Sequence, residues 1–380
     1  MGKKISLFLE KFRRVTSGGY YMPEIDGLRF IAVFWVAALM HTTNFINVKF
    51  YDSKLLPSYA AGVAIEGGYG VSLFFIISGF ILAFPFATQY LQNGKKVALK
   101  EYYLRRVTRL EPPYLAALLI AFVGLVFINK KFSFGELLPH LGASAIYSHQ
   151  YIYGERSWVL GVAWSLEVEI QFYIVAPLMA FIYRIRQARI RYLVFSILIT
   201  VFSIYAFNRF WSGQTGIQYS MHCFLLGMLL CDLYINGVRL KGNENYWFGA
   251  ALLLFLLMPL LISIYDMPSY LLKHLLLALA FFVGITNSKM KKLLSLQIIS
   301  IIGGMCYSIY LIHFMIMSTA FPLLQKIVIT NHWIAFGVYF LLIIILVLVG
   351  GMVFYKFIEQ PCMKKDWYKK LFRKTKTAAR

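Results

Sequence analysis

The sequence predicts an all-α polytopic membrane protein of about ten helices with both termini cytoplasmic. Three observations carry this. Of 380 residues, 60% are hydrophobic and only 14% charged, a balance foreign to soluble domains. Apolar runs long enough for ~30 Å of hydrocarbon recur along the whole chain. With the N-terminus placed inside, 29 of the 38 Lys and Arg fall in inner segments and 8 in outer ones, while Arg29 lies in the first run. Such a bias orients membrane helices. It also accounts for the net charge of +22 without nucleic acid, because anionic lipid on one face is the partner it calls for.

Taken in order, Met1 to Tyr21 is basic and leads into an apolar run too long for a signal-peptide core. No small-residue cleavage site follows, so a retained first helix is expected. Between Arg29 and Lys49 there is no charge, enough for about 28 Å of helix at ~1.5 Å per residue. Runs follow near 66–87, 113–129, 160–183, 192–208, 217–235, 246–265, 270–287, 298–322 and 332–356, the first being 28–47. The run at 113–129 opens at Pro112-Pro113, which suits a first helical turn. Segment 134–152 is weakly apolar and reads as a loop or short surface helix. The expected division is a basic N-terminus at 1–24, a transmembrane domain at 25–361 and a basic tail at 362–380. Cys223, Cys231, Cys306 and Cys362 form no CxxC, so neither a metal site nor a disulfide framework is expected.

Several polar residues interrupt the apolar runs. His41 lies deep in the first, where an ionisable group is costly. It either bonds a neighbouring helix or works chemically. Ser78-Gly79 in the second run either lets helices approach closely or admits a ligand. Arg106 and Arg109 are i,i+3, and Arg105 and Arg109 i,i+4, on one helical face. Guanidinium forks suit phosphate oxygens, although such charge also serves positive-inside topology. In Trp164-Ser-Leu-Glu-Val-Glu-Ile-Gln-Phe-Tyr173, Ser165, Glu169 and Tyr173 share a face at 100° per residue, and Glu167 points nearly opposite. Glu169 is therefore the acid expected to face a cavity. His222 reads as interfacial and inert. Tyr310 and His313 are i,i+3 deep in the run at 298–322, as a packing pair or a second deep site.

By helical rise, His41 lies roughly 20 Å from the cytoplasmic end and His313 roughly 22 Å, while Glu169 sits roughly 13 Å below the outer face. All three fall in the outer half of ~30 Å of hydrocarbon. The arginines lie at the inner face. One long ligand could thus keep phosphates inside and present its reactive end to the His/Glu group.

These motifs, in order, resemble the acyltransferase-3 family of integral-membrane acyltransferases over Ile25 to Pro361. The resemblance rests on Asp26-Gly-Leu-Arg29 with His41; Ser72-Leu-Phe-Phe-Ile-Ile-Ser-Gly-Phe80; Arg105-Arg106-Val-Thr-Arg109 with Pro112 and Tyr114; the Trp164–Tyr173 stretch; and Tyr307-Ser-Ile-Tyr-Leu-Ile-His313. It implies transfer of an acyl group, usually acetyl from acetyl-CoA, to an extracytoplasmic hydroxyl such as that of a cell-surface carbohydrate, in a bacterial cytoplasmic membrane. No permanently bound cofactor and no metal are expected.

The family's arginine and histidine fall on Arg29 and His41, and its typical glutamate on Glu169. The chain departs by one residue: eleven, where the family usually has ten, separate Arg29 from His41. A π-bulge absorbs the extra residue, or Arg29 precedes the regular helix. Some relatives carry a C-terminal hydrolase-like domain, and the expectation is a stand-alone membrane domain.

The expected roles follow from the resemblance and the chemistry together. His41 is a general base or a transient acyl carrier, with Glu169 orienting it or balancing its imidazolium. Arg105, Arg106 and Arg109, with Arg29, hold CoA phosphates. Ser78, Trp164, Tyr173, Tyr310 and His313 line or support the substrate end. The competing reading is a proton-coupled transporter or flippase in which His and Glu carry protons. A scaffold protein is a third. The arginine cluster and unbroken helices favour the enzyme.

Overall fold

Every regular element in the computed structural model is helical, and no strand occurs among the described residues, which are 9–14, 21–50, 67–209, 215–261, 266–327, 329–364 and 367. Most of the expected first outer loop and C-terminal tail, and the ends of the runs at 66 and 262–265, lie outside them.

Helix α1 (Pro23–Val33) starts with Pro at its first turn and acids Glu24 and Asp26 beside it, a favourable N-terminus. It continues through wide π turns at Phe34–Thr42 into Thr43–Phe50. Next come α2 (Tyr69–Leu91) and α3 (Leu99–Val123). The expected break before Pro113 is corrected: α3 runs straight through Pro112 and Pro113. Proline removes a backbone donor, but the indole N–H of Trp367 donates to the Thr108 carbonyl at 2.9 Å. That carbonyl is the one Pro112 leaves without its i+4 partner, which is how membrane helices tolerate proline.

Segment 134–152 holds two short helices. α4 (Phe134–Ala145) opens with a Ser133/Glu136 capping box, and α5 (His149–Tyr153) ends at Gly154, whose φ of 72° suits glycine. There follow α6 (Trp164–Met179), α7 (Ala188–Arg209), α8 (Ile217–Ile235), α9 (Glu244–Leu261), α10 (Met267–Thr286) and α11 (Ser288–Leu294). The run expected as one helix at 298–322 is two, α12 (Gln297–Gly304) and α13 (Cys306–Leu324), broken at Met305. Last is α14 (His332–Phe354), which continues through π turns to Glu359.

Eight of these helices are long and apolar enough to cross a membrane. Of the ten expected, α8 carries Gln218, His222 and Asp232, and α9 has an apolar stretch of only Glu244–Met258.

Glycines set the closest crossings. A Cβ on Gly79 would come within 2.2 Å of the Phe224 carbonyl, and one on Gly227 within 2.1 Å of the Ile76 carbonyl. The backbones of α2 and α8 therefore touch, as small residues permit in membranes. A Cβ on Gly303 would meet the Asp26 carbonyl at 1.7 Å. That contact seats α12 against α1 and explains why the chain breaks just after Gly304: glycine is weak inside a helix, and here the pair is spent on proximity. Between α7 and α8, buried Arg191 and Asp232 form a two-pronged ion pair, with Arg191 Nη2 3.0 Å from Asp232 Oδ1.

Candidate active site

A cavity of about 370 Å³ opens among α1, α2, α3, α6 and α13. Five guanidinium groups reach it: Arg14, Arg29, Arg105, Arg106 and Arg109. Four were expected from the sequence, and α3 does put its three on one side. Arg105 is largely exposed and pairs with Glu101 at 3.2 Å. Arg106 lies over the Tyr102 ring, 3.6 Å from its centroid, and donates to the Tyr102 carbonyl at 2.7 Å. Arg29 is bound to Asp26 at 2.5 Å. Arg14 was missed. It sits in a short basic segment indistinguishable from topology charge, yet it bonds the same Asp26 at 2.9 Å. Tyr102, Tyr307 and Glu359 also line the cavity and were not singled out.

Glu169 lines the same cavity. It accepts hydrogen bonds from Ser78 Oγ and Tyr173 OH, both at 2.6 Å, so Ser78 and Tyr173 fix this carboxylate. Glu167 faces the other way and is buried, accepting from the Gln150 backbone N–H at 3.3 Å. The helical spacing predicted this division of the two acids. Trp164 has turned to α2 and the loop before α6: its ring meets Phe75 edge-on, and Arg156 lies 5.4 Å from its centroid.

The histidines form their own pair. His41 Nδ1 lies 2.6 Å from His313 Nε2, with the rings stacked at 4.9 Å and 9°. His313 Nδ1 is 2.6 Å from the Tyr310 carbonyl. A carbonyl only accepts, so Nδ1 of His313 carries the hydrogen and its Nε2 is the acceptor. His41 must then donate through Nδ1, which leaves the His41 Nε2 lone pair free to take a proton. Tyr310 OH donates to the Val162 carbonyl at 2.8 Å and receives from Ser165 Oγ at 2.6 Å.

The expected direct partnership of His41 with Glu169 is thus corrected: His41 bonds His313, and Glu169 bonds Ser78 and Tyr173. Depth put His41 and Glu169 level, but azimuth decides contact, and His41 faces α13. After Arg29 the helix widens into the π turns of Phe34–Thr42, which carry His41, the bulged alternative that accommodates the extra residue.

His222 is buried rather than interfacial. His222, Cys223 and His274 are the one group among the described residues whose potential metal donors lie within 4.8 Å of each other. Both imidazoles already bond Tyr270, His222 Nε2 with its hydroxyl at 3.2 Å and His274 Nδ1 with its carbonyl at 2.9 Å. Buried Lys273 lies beside them, 4.5 Å from the Tyr69 ring centroid. The buried His222 Nδ1 has no partner, but the Lys273 cation beside the group suits a packed polar core better than a metal.

The family model described as "Acyltransferase domain" matches residues 22–356. A peptidoglycan O-acetyltransferase of Listeria monocytogenes is 30% identical over 172 residues, 41% of this chain and 24% of that protein. A putative O-acetyltransferase of Staphylococcus aureus is 26% identical over 377 residues, 91% of this chain and 58% of its own length. An O-acetyltransferase of another S. aureus strain is 25% identical over 389 residues, with the same shares. The chain thus spans less than two thirds of the curated relatives it matches. No solved structure matches it. With the match covering most of its length, the chain is an integral membrane protein belonging to the acyltransferase-3 family.

Proposed function

We propose that this protein is a membrane O-acetyltransferase that moves acetyl from acetyl-CoA to a hydroxyl of an extracytoplasmic glycan, in a bacterial cytoplasmic membrane with both ends of the chain inside. One observation carries the reading. A cavity walled by five arginines is also walled by Glu169 and Tyr310, and the Tyr310 carbonyl holds the His313–His41 pair. Arginines bind the phosphates of the donor, and a histidine with a free Nε2 serves a hydroxyl acceptor. The names of the relatives support acetyl as the group and a wall polymer such as peptidoglycan as the acceptor.

In the reaction, His41 Nε2 takes the acceptor's hydroxyl proton as that oxygen attacks the acyl carbonyl. A C–O bond forms, the C–S bond breaks, and the CoA thiolate recovers the proton from His41. His313 holds His41 in the required tautomer. Glu169 offers a fixed acceptor to N–H or O–H groups of bound substrates, while Ser78 and Tyr173 keep it in place. Arg29, Arg105, Arg106 and Arg109 hold the donor phosphates. Trp164 supports the outer end of α6.

The test is acetyl-CoA carrying a labelled acetyl group, incubated with proteoliposomes of the full chain and isolated cell-wall glycan. Label should appear on the glycan with one thiol released per acetyl, and His41→Ala should cut both by about 10²–10⁴-fold. Intact acetyl-CoA or another solute crossing the bilayer with no thiol release would instead establish the transporter. Reporter fusions in 88–112 and 236–245 should lie inside, and those in 130–159 outside.

A further inference from the structure

The N-terminal segment is tied down far more firmly than a topology signal requires. The Lys11 carbonyl accepts from Gln360 Nε2 at 2.9 Å and Lys356 Nζ at 3.3 Å, and the Arg13 carbonyl accepts from Tyr355 OH at 3.2 Å. Phe12 is buried in a cluster with Ile301, Met305 and Tyr355. These contacts carry Arg14 over the break between α12 and α13, where a Cβ on Gly304 would lie 3.3 Å from Arg14 Cβ. The glycine leaves the room that Arg14 occupies.

At that position Arg14 is under-used. One nitrogen, Nη1, bonds Asp26, while its buried Nε has no hydrogen-bond partner. The buried Nε of Arg109 also has none, and Arg109 makes no hydrogen bond or ion pair within the described residues. Leaving buried guanidinium donors unmet is costly. The cavity wall holds five arginines against Glu169 and Glu359, with Asp26 just behind it. With Glu101 paired to Arg105, a surplus of one positive charge and the idle N–H donors ask for an anion rich in acceptor oxygens. Burial and the neighbouring Arg109 and Arg29 push the Arg14 guanidinium down to about 10 against the opposing pull of Asp26, in keeping with crowded cations.

We propose that Arg14 and Arg109 form a phosphate-binding subsite of this cavity, and that segment 9–14 is a strap that delivers Arg14 to it. The ligand is a phosphate monoester or diphosphate. Its identification with the donor's phosphates rests on the acetyl-CoA reading above. Arg13, next along the strap, is largely exposed and pairs with Glu10 at 2.7 Å, so it has no part in the subsite.

The experiment titrates the full chain in phosphatidylcholine nanodiscs with CoA, S-acetylpantetheine and inorganic diphosphate. Arg14→Ala should weaken CoA and diphosphate by roughly tenfold or more, the factor a lost charge-assisted contact commands. S-acetylpantetheine, which has no phosphate, should be unaffected. Arg14→Lys should recover part of the loss, and Arg13→Ala should match the wild type. Equal CoA binding by wild type and Arg14→Ala overturns the subsite and leaves the donor reading standing. Arg14-dependent diphosphate binding with no CoA binding supports the subsite and sinks the donor reading. Equal loss of CoA and S-acetylpantetheine makes Arg14 merely structural and overturns the proposal. So does an Arg14 effect confined to nanodiscs containing phosphatidylglycerol, which would assign the cation to a lipid headgroup.

Discussion

Replacing His313 separates the histidine pair from every other account of this site. His313 is fully buried, and its Nε2 is the hydrogen-bond partner of His41 Nδ1, at 2.6 Å. His313→Ala leaves the His41 N–H unmet, which costs about 1–3 kcal/mol. At ~1.4 kcal/mol per decade this is roughly a 5- to 150-fold loss of kcat, with the donor KM unchanged because the arginines are untouched. His41→Ala should lose more, about 10²–10⁴-fold, the usual yield of general-base catalysis. The decisive measurement is the double variant. If His313 acts only through His41, adding His313→Ala to His41→Ala costs nothing further, since residues acting as a unit are non-additive. His313→Gln, whose amide oxygen can replace the Nε2 acceptor, should recover much of the loss. The assay is thiol release with labelled acetyl transfer, at matched expression. Multiplicative losses in the double variant, or full activity of His313→Ala, would refute the reasoning.

Four further outcomes are expected. Deleting Ala38 from the π turns should restore ten residues between Arg29 and His41 and keep acyl transfer measurable, whereas inserting one alanine there should abolish it, because a π-bulge absorbs one surplus residue and not two. Gly227→Ala should lower the thermal stability by about 1–3 kcal/mol, as overpacking does, since its Cβ would lie 2.1 Å from the Ile76 carbonyl; unchanged unfolding in detergent would contradict the close crossing. Asp232→Asn should cost about 3–5 kcal/mol by stranding buried Arg191, measured by the same unfolding assay, with Arg191→Met/Asp232→Leu milder than the single change. Burial holds the His149 imidazole below its usual value, so an unfolded α5 takes up its proton first as the pH falls. Its contribution is therefore complete above about pH 6.5 and lost on acidification through that value; hydrogen exchange in 149–153 should accelerate toward pH 5, and His149→Gln should flatten that response.

Much of the architecture is written in periodicity and charge. Each of the ten expected runs contains a helix, and the 100° spacing separates cavity-facing Glu169 from buried Glu167. What escapes is settled by partners distant in sequence. Pro112 and Pro113 read as a helix start because proline lacks a donor, and the indole that answers for it lies at Trp367. Gly303-Gly304 offered no visible break inside an apolar run, since the pressure on it comes from the Asp26 carbonyl of α1. Helical rise estimated the depth of His41 but not which neighbour its ring meets, and Arg14 was hidden among basic residues that topology alone explains. The chain breaks at Met305 between α12 and α13, so the arginine cavity and the histidine pair, rather than unbroken helices, favour an enzyme.

The register of α13 explains how the cavity and the histidines stay connected yet separate. Tyr307, Tyr310 and His313 step along this helix by three residues, about 4.5 Å of rise each time. Three residues turn the helix 300°, so each step also rotates the side chain by about 60° in the opposite sense. Tyr307 faces the arginine end, where its hydroxyl donates to the Leu110 carbonyl at 2.9 Å. Tyr310, a step on, still lines the cavity but reaches across to Ser165 and Val162. His313, about 120° round from Tyr307 by the same count, has left the cavity wall and meets His41 on α1. The Tyr310 carbonyl joins the two, because it fixes His313 Nδ1 and through it the tautomer of His41. Under the proposed reaction, a donor held by the arginines would lie on the Tyr307 side of α13, while His41 meets the His313 side. Such a division suits a reaction whose two substrates arrive from opposite faces of a membrane and must not be able to exchange places.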